Sequence, residues 1–260
     1  MLLAINCNNT HTLLGVYERD RLAVHWRLRT DPARTVDEYG VLLRGLFAEW
    51  GHPQPEIAGI ILASVVPPMN DRIEQVCHRF FGHTPLVVGP GIRTGVPILH
   101  ENPKEVGADR ICNAVAAYER TRSATIVVDF GTATTFDCVT ARGEYLGGII
   151  VPGIGISLDA LIARTAKLPR VELVRPPKVV GRTTVHAIQS GVFYGYAALV
   201  DGLVDRIRKE NDASARVLAT GGLASLIAPT SAAIEAVDEF LTLDGLRIIY
   251  ERNGGSSDVI

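Results

Sequence analysis

Asp129-Phe130-Gly131-Thr132-Ala133-Thr134-Thr135 puts a carboxylate, a glycine and three hydroxyls between two apolar runs. Glycine permits dihedrals that turn successive backbone N–H groups toward an anion. Threonine hydroxyls add donors, and an aspartate at a strand end holds a cation that neutralises phosphate charge. A plain hairpin with threonine chosen for β-propensity is the alternative. Asn6, Asn8, Asn9 and Thr10 form a second turn of the same kind near the start of the chain. Asparagine tolerates left-handed backbone better than any residue but glycine, so Asn8 can replace one. Asn6 keeps an oxygen and loses a charge. An Asx turn with no ligand is the alternative there. Gly107-Ala108-Asp109-Arg110 supplies a further acid and base. Neighbours on a helix diverge by about 100°, so Asp109 and Arg110 need not pair. One can serve as a base and the other face an anion, or both are solvated helix charges. Thr220-Gly221-Gly222 ends a strand, where glycine lets a flat ligand approach, although a turn is the commoner explanation. His100 and His186 are more often surface histidines, and Phe193, Tyr194 and Tyr196 more often core packing.

Positioning these residues is the work of alternating strands and helices. LLAINC, TLLGVYE and LAVHWRL read as three short strands. TVDEYGVLLRGLFAEW carries apolar residues at helical spacing, IAGIILASVV is a buried strand, DRIEQVCHRFF a helix and PLVVG a strand. Asn102, Pro103 and Glu105 form a helix start with an Asn-type capping box, and the helix runs to about Arg120 with a break near Gly107. The pattern then begins again. IVVDFGTATTFDCV overlays LAINCNNTHTLLGV almost without a gap, with Asp129 on Asn6, Gly131 on Asn8, Thr132 on Asn9 and Thr134 near His11. A strand in GEYLGGIIVPG, a helix in ISLDALIARTAK, a Pro-rich connection over 168–178, a long helix over 184–209, a strand in ARVLATGG and a short helix in LASLIAP follow. DEFLTLDGLRIIYERN ends the fold. The expectation is an α/β protein with two mixed sheets flanked by helices, duplicated as halves 1–122 and 123–260, with the ligand cleft between them.

Composition excludes several classes. The chain has 260 residues, is 47% hydrophobic and 21% charged, and carries a formal charge of −2. It can bury a large core and is not disordered. No basic cluster points to nucleic acid, no run approaches the roughly 18 apolar residues of a membrane span, and the start lacks the pattern of a secretion signal. The four cysteines, Cys7, Cys77, Cys112 and Cys138, stand singly without metal spacing and read as free thiols in a reducing cytoplasm.

In their order, N-x-N-N-T, NPKEVGADR, DFGTATTFD, GGIIVPG, TTVHAIQSGVFYG, VLATGG and LTLDGLRIIYERN closely resemble the type III pantothenate kinase family over almost the whole chain. The resemblance implies a duplicated ribonuclease-H-like, or actin-like ATPase, fold. It implies phosphorylation of pantothenate by ATP to 4'-phosphopantothenate, the first step of coenzyme A biosynthesis, in a cytoplasmic homodimer. Mg²⁺ or Mn²⁺ and K⁺ or NH4⁺ are implied as cofactors, and neither nucleic acid nor membrane as a partner. Position by position, it places Asn6, Cys7, Asn8, Asn9, Thr10, His11, Thr12 and Leu13 at the ATP phosphates with Thr132. Gly107, Ala108, Asp109 and Arg110 bind pantothenate, with Asp109 the catalytic base. Asp129 binds the monovalent cation, and His100 and Thr184 line the substrate pocket.

Two positions depart from the family pattern. The usual Asp-x-Gly-Asn is Asn6-Cys7-Asn8-Asn9, so Asn6 meets the divalent cation through a water rather than by charge. The usual tyrosine is His100. Alternatives are a related small-molecule kinase, a nucleotide- or pantothenate-binding regulator without turnover, and an actin-like structural protein. For assembly, the long helix carries Val185, Ile188, Val192, Leu199, Leu203 and Ile207 near one face, and Phe193, Tyr194 and Tyr196 broaden the apolar surface. One stripe serves the core and the rest predicts a homodimer.

Overall fold

Residues 1–254 are described by a computed structural model. The first apolar runs form a meander of β1 (Leu2–Cys7), β2 (His11–Glu18) and β3 (Arg21–Arg29), with β2 antiparallel to both neighbours. Helix α1 (Val36–Glu49) then carries the chain back, so β4 (Gly59–Ser64) joins β1 in parallel, as a crossover requires. Helix α2 (Pro67–Phe81) follows, and β5 (Leu86–Val87) completes the order β3-β2-β1-β4-β5. The expected strand PLVVG shrinks to those two residues.

The second pass repeats the plan. β6 (Thr125–Phe130), β7 (Ala133–Val139) and β8 (Tyr145–Pro152) form a meander. Helices α4 (Ile154–Ala163) and α5 (Thr184–Glu210) precede β9 (Arg216–Thr220), which lies parallel to β6. After α6 (Ala224–Ile227), β10 (Ala236–Val237) gives the order β10-β9-β6-β7-β8. Each strand of the first sheet has a counterpart in the same place in the second, so the faint repeat in the sequence is a repeat of topology. Its overlay needs one correction. Cys7 pairs with Thr12 and Phe130 with Thr134, leaving four residues in the first turn and three in the second. Thr134 therefore matches Thr12 and not His11.

Local chemistry explains most helix ends. Thr35 caps α1 in a reciprocal box: its hydroxyl accepts from the Glu38 N–H, and its own N–H donates to Glu38 Oε2 at 2.7 Å. Pro67 opens α2, and Gly82 ends it at φ +72°. Thr183 caps α5 by accepting from the His186 N–H at 3.2 Å. The expected box at Asn102 does not form. The Asn102 amide donates to Glu105 Oε1 at 2.7 Å, and a short 3-10 turn over Pro103–Glu105 stops at the extended residue Val106. Helix α3 (Ala108–Thr121) starts separately beyond Gly107.

The α5 stripe also shifts. Ile188, Phe193, Ala197, Val200, Val204 and Ile207 are buried, while Val185 is exposed and Val192, Leu199 and Leu203 are half-buried. Phe193, Val200 and Val204 join Ile126, Val128, Phe136 and Val217 in the second core. The first core gathers Leu3, Ile5, Phe47, Ile60, Leu62 and Met69.

Contacts divide the chain into two units, residues 1–116 with the segment from 241, and residues 117–240. The expected halves run instead to 122 and from 123 to 260. The difference is largely α7 (Leu241–Arg252), which packs on β1 and β4. Its Leu241, Leu243, Leu246 and Ile249 are fully buried. Tyr17 adds a 2.7 Å hydrogen bond to Asp244 Oδ1, and Thr242 one of 2.7 Å to Asn113 Oδ1.

Candidate functional site

In the first unit the site begins where β1 runs out. Leu3, Ile5 and Cys7 point into the core that α1 and α2 cover. Alternation turns Ala4 and Asn6 to the opposite face. Asn6 is 3% exposed, and its Oδ1 is buried with no hydrogen-bond partner. The same is true of Asn8 Oδ1. The Asn8 N–H donates to His11 O at 3.1 Å, which prolongs the ladder and keeps Asn8 on the side of Asn6.

The backbone beneath is held by a chain of buried hydroxyls. Thr30 Oγ1 donates to Asn8 O at 2.6 Å, Thr12 Oγ1 and Thr30 Oγ1 share a 2.9 Å bond, and Thr12 Oγ1 lies 3.6 Å from Cys7 Sγ. Burial raises the Cys7 thiol pKa and keeps it neutral. Asn9, Thr10 and His11 are exposed, and Leu13 is half-buried. Two unsatisfied amide oxygens on a braced turn favour a hydrated cation or a donor.

Asp109 comes to the same end of the sheet. Cys7 O accepts from the Val65 N–H at 3.1 Å. A side chain at Gly107 would put its Cβ 3.5 Å from Val65 Cγ1 and 2.6 Å from Asp109 Oδ1. Glycine at 107 therefore leaves room for the carboxylate. Ala108 is buried beside it. Asp109 Oδ1 accepts from the Arg110 N–H at 2.8 Å. Burial raises the Asp109 pKa above the ordinary carboxylate value, while the Arg110 N–H and the Arg110 charge pull it down. Asp109 and Arg110 thus interact, a coupling that helical divergence alone did not predict. A partly desolvated carboxylate at a helix start is poised to take a proton. His100 is half-buried and bonds within its own loop, where Nδ1 receives the Asn102 N–H at 3.2 Å.

The second unit builds its own cluster at the end of β6. Asp129 pairs with Thr135 on one side and Thr220 on the other. Gly221 follows Thr220 at φ +91°, and a Cβ there would lie 2.5 Å from Asp129 Oδ1 and 2.7 Å from the Phe130 carbonyl. The Gly131 N–H donates to Ala133 O at 3.0 Å, and the Gly153 N–H to Thr132 O at 3.1 Å. A Cβ at Gly153 would overlap the Gly131 and Thr132 backbone. Asp129, Thr132, Gly153 and Gly221 are thus packed together, while Thr134, on the face of Phe130, buries an Oγ1 that has no hydrogen-bond partner among the described residues. Thr184 is exposed at the first turn of α5.

Sequence reasoning did not single out Thr12 and Thr30 as a brace, or Gly153 as a close-packing position. Gly153 closes the quoted GGIIVPG, which was a usable signal, whereas Thr30 carries none. Among the described residues no group of three or more His, Cys, Asp and Glu can hold a metal. In the first unit the donors are the Asn6 and Asn8 amide oxygens, and in the second the Asp129 carboxylate; each is a hard oxygen of the kind a hydrated cation takes.

A sequence model described as type III pantothenate kinase matches residues 2–206. A type III pantothenate kinase of Anaeromyxobacter sp. (strain K) is 58% identical over 253 residues, 97% of this chain and 100% of that protein. The activator of the 2-hydroxyisocaproyl-CoA dehydratase of Clostridium difficile, solved with ADPNP, superposes with TM-score 0.56 at 11% identity over 100% of this chain and 97% of that one. A ROK family glucokinase of Streptomyces griseus, solved with glucose and AMPPNP, gives 0.53 at 11% over 98% and 99%. At such identity the structures speak for the fold, which is the actin-like one with two five-stranded mixed sheets.

Proposed function

The chain belongs to the type III pantothenate kinase family, and from that membership we infer that it phosphorylates pantothenate with ATP, opening coenzyme A biosynthesis. The observation that carries the mechanism is Asp109, partly desolvated at the start of α3 and kept clear by Gly107.

Phosphoryl transfer needs positioning and charge neutralisation more than covalent chemistry. The turn from Asn6 to Leu13 and the Thr132 turn hold the phosphates through backbone N–H and hydroxyl groups. Asp109 orients the primary hydroxyl of pantothenate and accepts its proton as the bond to the γ-phosphorus forms. The hydroxyl is far less acidic than a carboxyl group, so the proton moves late. Arg110 steadies the anionic substrate. His100 and Thr184 line the pocket, and the enzyme works in the cytoplasm as a homodimer. Asp129 would hold K⁺ or NH4⁺. Asn6 and Asn8, whose amide oxygens are buried without a partner among the described residues, would hold hydrated Mg²⁺ or Mn²⁺. When bound, the cations offset the charge of the phosphates.

The test is ADP release by the purified protein, with and without pantothenate, across divalent and monovalent cations. Release that ignores pantothenate would sink the proposal. One observation favours a second reading, the absence of a carboxylate at position 6. A regulator would bind nucleotide or pantothenate in the same experiment and release no ADP under any cation.

A further inference from the structure

Between α4 and α5, residues 164–183 form a strap without helix or strand. It carries Arg164, Lys167, Arg170, Arg175, Lys178 and Arg182 against one acid, Glu172. All six cations are exposed. Among the described residues none of the six makes an ion pair or hydrogen bond through its side chain. The rest of the same unit behaves differently. Arg120, Arg122, Arg142, Arg208, Lys209 and Arg216 are each paired with a carboxylate, which among the described residues leaves only Arg206 outside the strap without one.

The strap is not loose chain. Gln189 Nε2 donates to Glu172 O at 2.9 Å, and Ser190 Oγ donates to Val179 O. Both anchoring side chains and Pro176 are buried. The backbone is therefore pinned along the first turns of α5 while its charges stay in solvent. The strap ends at Thr183 and Thr184, the start of that helix.

We propose that the 164–182 strap is an anion guide, whose unpaired cations draw the carboxylate of pantothenate toward Thr184 and speed its capture. This rests on the kinase reading above and adds to it how the acid substrate is collected. Six like charges on a fixed backbone create a local potential that raises encounter with an anion and fades with salt. Screening limits its reach to about 8–10 Å at physiological ionic strength. An ion-paired arginine adds little to such a field, because its carboxylate cancels it at a distance.

The experiment compares wild type with Arg170→Gln/Arg175→Gln/Lys178→Gln at saturating ATP, over a range of salt. At low ionic strength kcat/KM for pantothenate should fall by about three- to tenfold. The kcat should stay within about twofold, and the difference should vanish near about 0.5 M salt. Arg122→Gln/Arg142→Gln/Lys209→Gln removes the same charge from paired positions and should keep the wild-type salt slope. The guide is overturned if the strap variant keeps that slope, if the control loses as much, or if only kcat/KM for ATP changes. A wild type that releases no ADP with pantothenate would remove the kinase reading itself, and the guide with it.

Discussion

Gly221→Ala tests whether the second phosphate turn is as tightly built as its geometry implies. Alanine at φ +91° costs about 1–2 kcal/mol. The stiffer unfolded chain returns about 0.4–1 kcal/mol. The new methyl would sit 2.7 Å from the Phe130 carbonyl group, on a strand paired on both sides that cannot retreat. Overpacking of this kind costs about 1–3 kcal/mol. The net loss is about 1–5 kcal/mol, centred near 3, or about 4–20 °C in Tm for a unit the size of residues 117–240. Asp129 must also move, so potassium affinity should fall with stability. Gly131→Ala is the matched control. Its Cβ meets only Ala133 O at 3.4 Å and Asp129 Oδ1 at 3.6 Å, with no positive φ. It should melt within about 1 kcal/mol of wild type yet lose about tenfold or more in ATP affinity, because the methyl narrows the approach to the turn proposed to hold phosphate. Thermal and urea unfolding followed by circular dichroism, with nucleotide titration, reads both. Equal melting of the two variants, or a Gly221→Ala protein as stable as wild type, would refute the strain argument.

Asp109→Asn should lower kcat by about 10²-fold or more while ATP still binds. Because burial raises the Asp109 pKa in the folded protein, the native state holds that proton more tightly than the unfolded chain. This contribution to stability is complete below the ordinary value and lost as pH rises through the raised one. The Asn variant should therefore melt above wild type at pH 7, and the gap should close toward pH 4; an equal gap at both pH values would detach the effect from ionisation. Asp129→Ala should abolish both the dependence on potassium or ammonium and most activity, and full wild-type rates in sodium alone would count against the assignment. Asn6→Asp should bind Mn²⁺ more tightly by calorimetry and need less metal for half-maximal rate, with kcat at saturating metal little changed; superimposable titrations would place Asn6 outside the metal's shells. Light scattering at micromolar concentration should give the mass of a dimer, and a monomer would remove that part of the proposal.

What could be read from residue types was largely local. The two meanders, the turn residues and the 184–210 helix follow from alternation, glycine placement and apolar spacing. The start at Asn102 obeyed a capping rule that the fold overrides: Val106 is extended, so the chain turns at Gly107 and α3 starts afresh with Asp109 in its first turn. Asp109 and Asp129 became candidates through the order of the motifs around them, since a solvated helix charge and a plain hairpin account for each stretch taken alone. The hydroxyl brace through Thr12 and Thr30 was not, since it depends on β2 and β3 lying side by side. Nor does sequence say that α7 belongs with β1, because the helix period of LTLDGLRIIYER shows an apolar face without naming the sheet it covers. The strap cations were countable from the start, but charge counts do not reveal which charges lack partners.

The return of α7 to the first sheet has a consequence for biosynthesis. The ribosome delivers β1 to β5 early and the helix that seals them last, after the whole of residues 117–240 has been made. At about 5–20 residues per second that interval is about 6–25 s. Throughout it, the face of β1 and β4 bearing Ala4, Ile61 and Ala63 lacks its permanent cover. The middle unit, continuous in sequence, is free to fold on emergence. The unit begun first is the one finished last, so premature termination before Leu241 would spare the second core and leave the one that carries Asp109 open to chaperones and proteases.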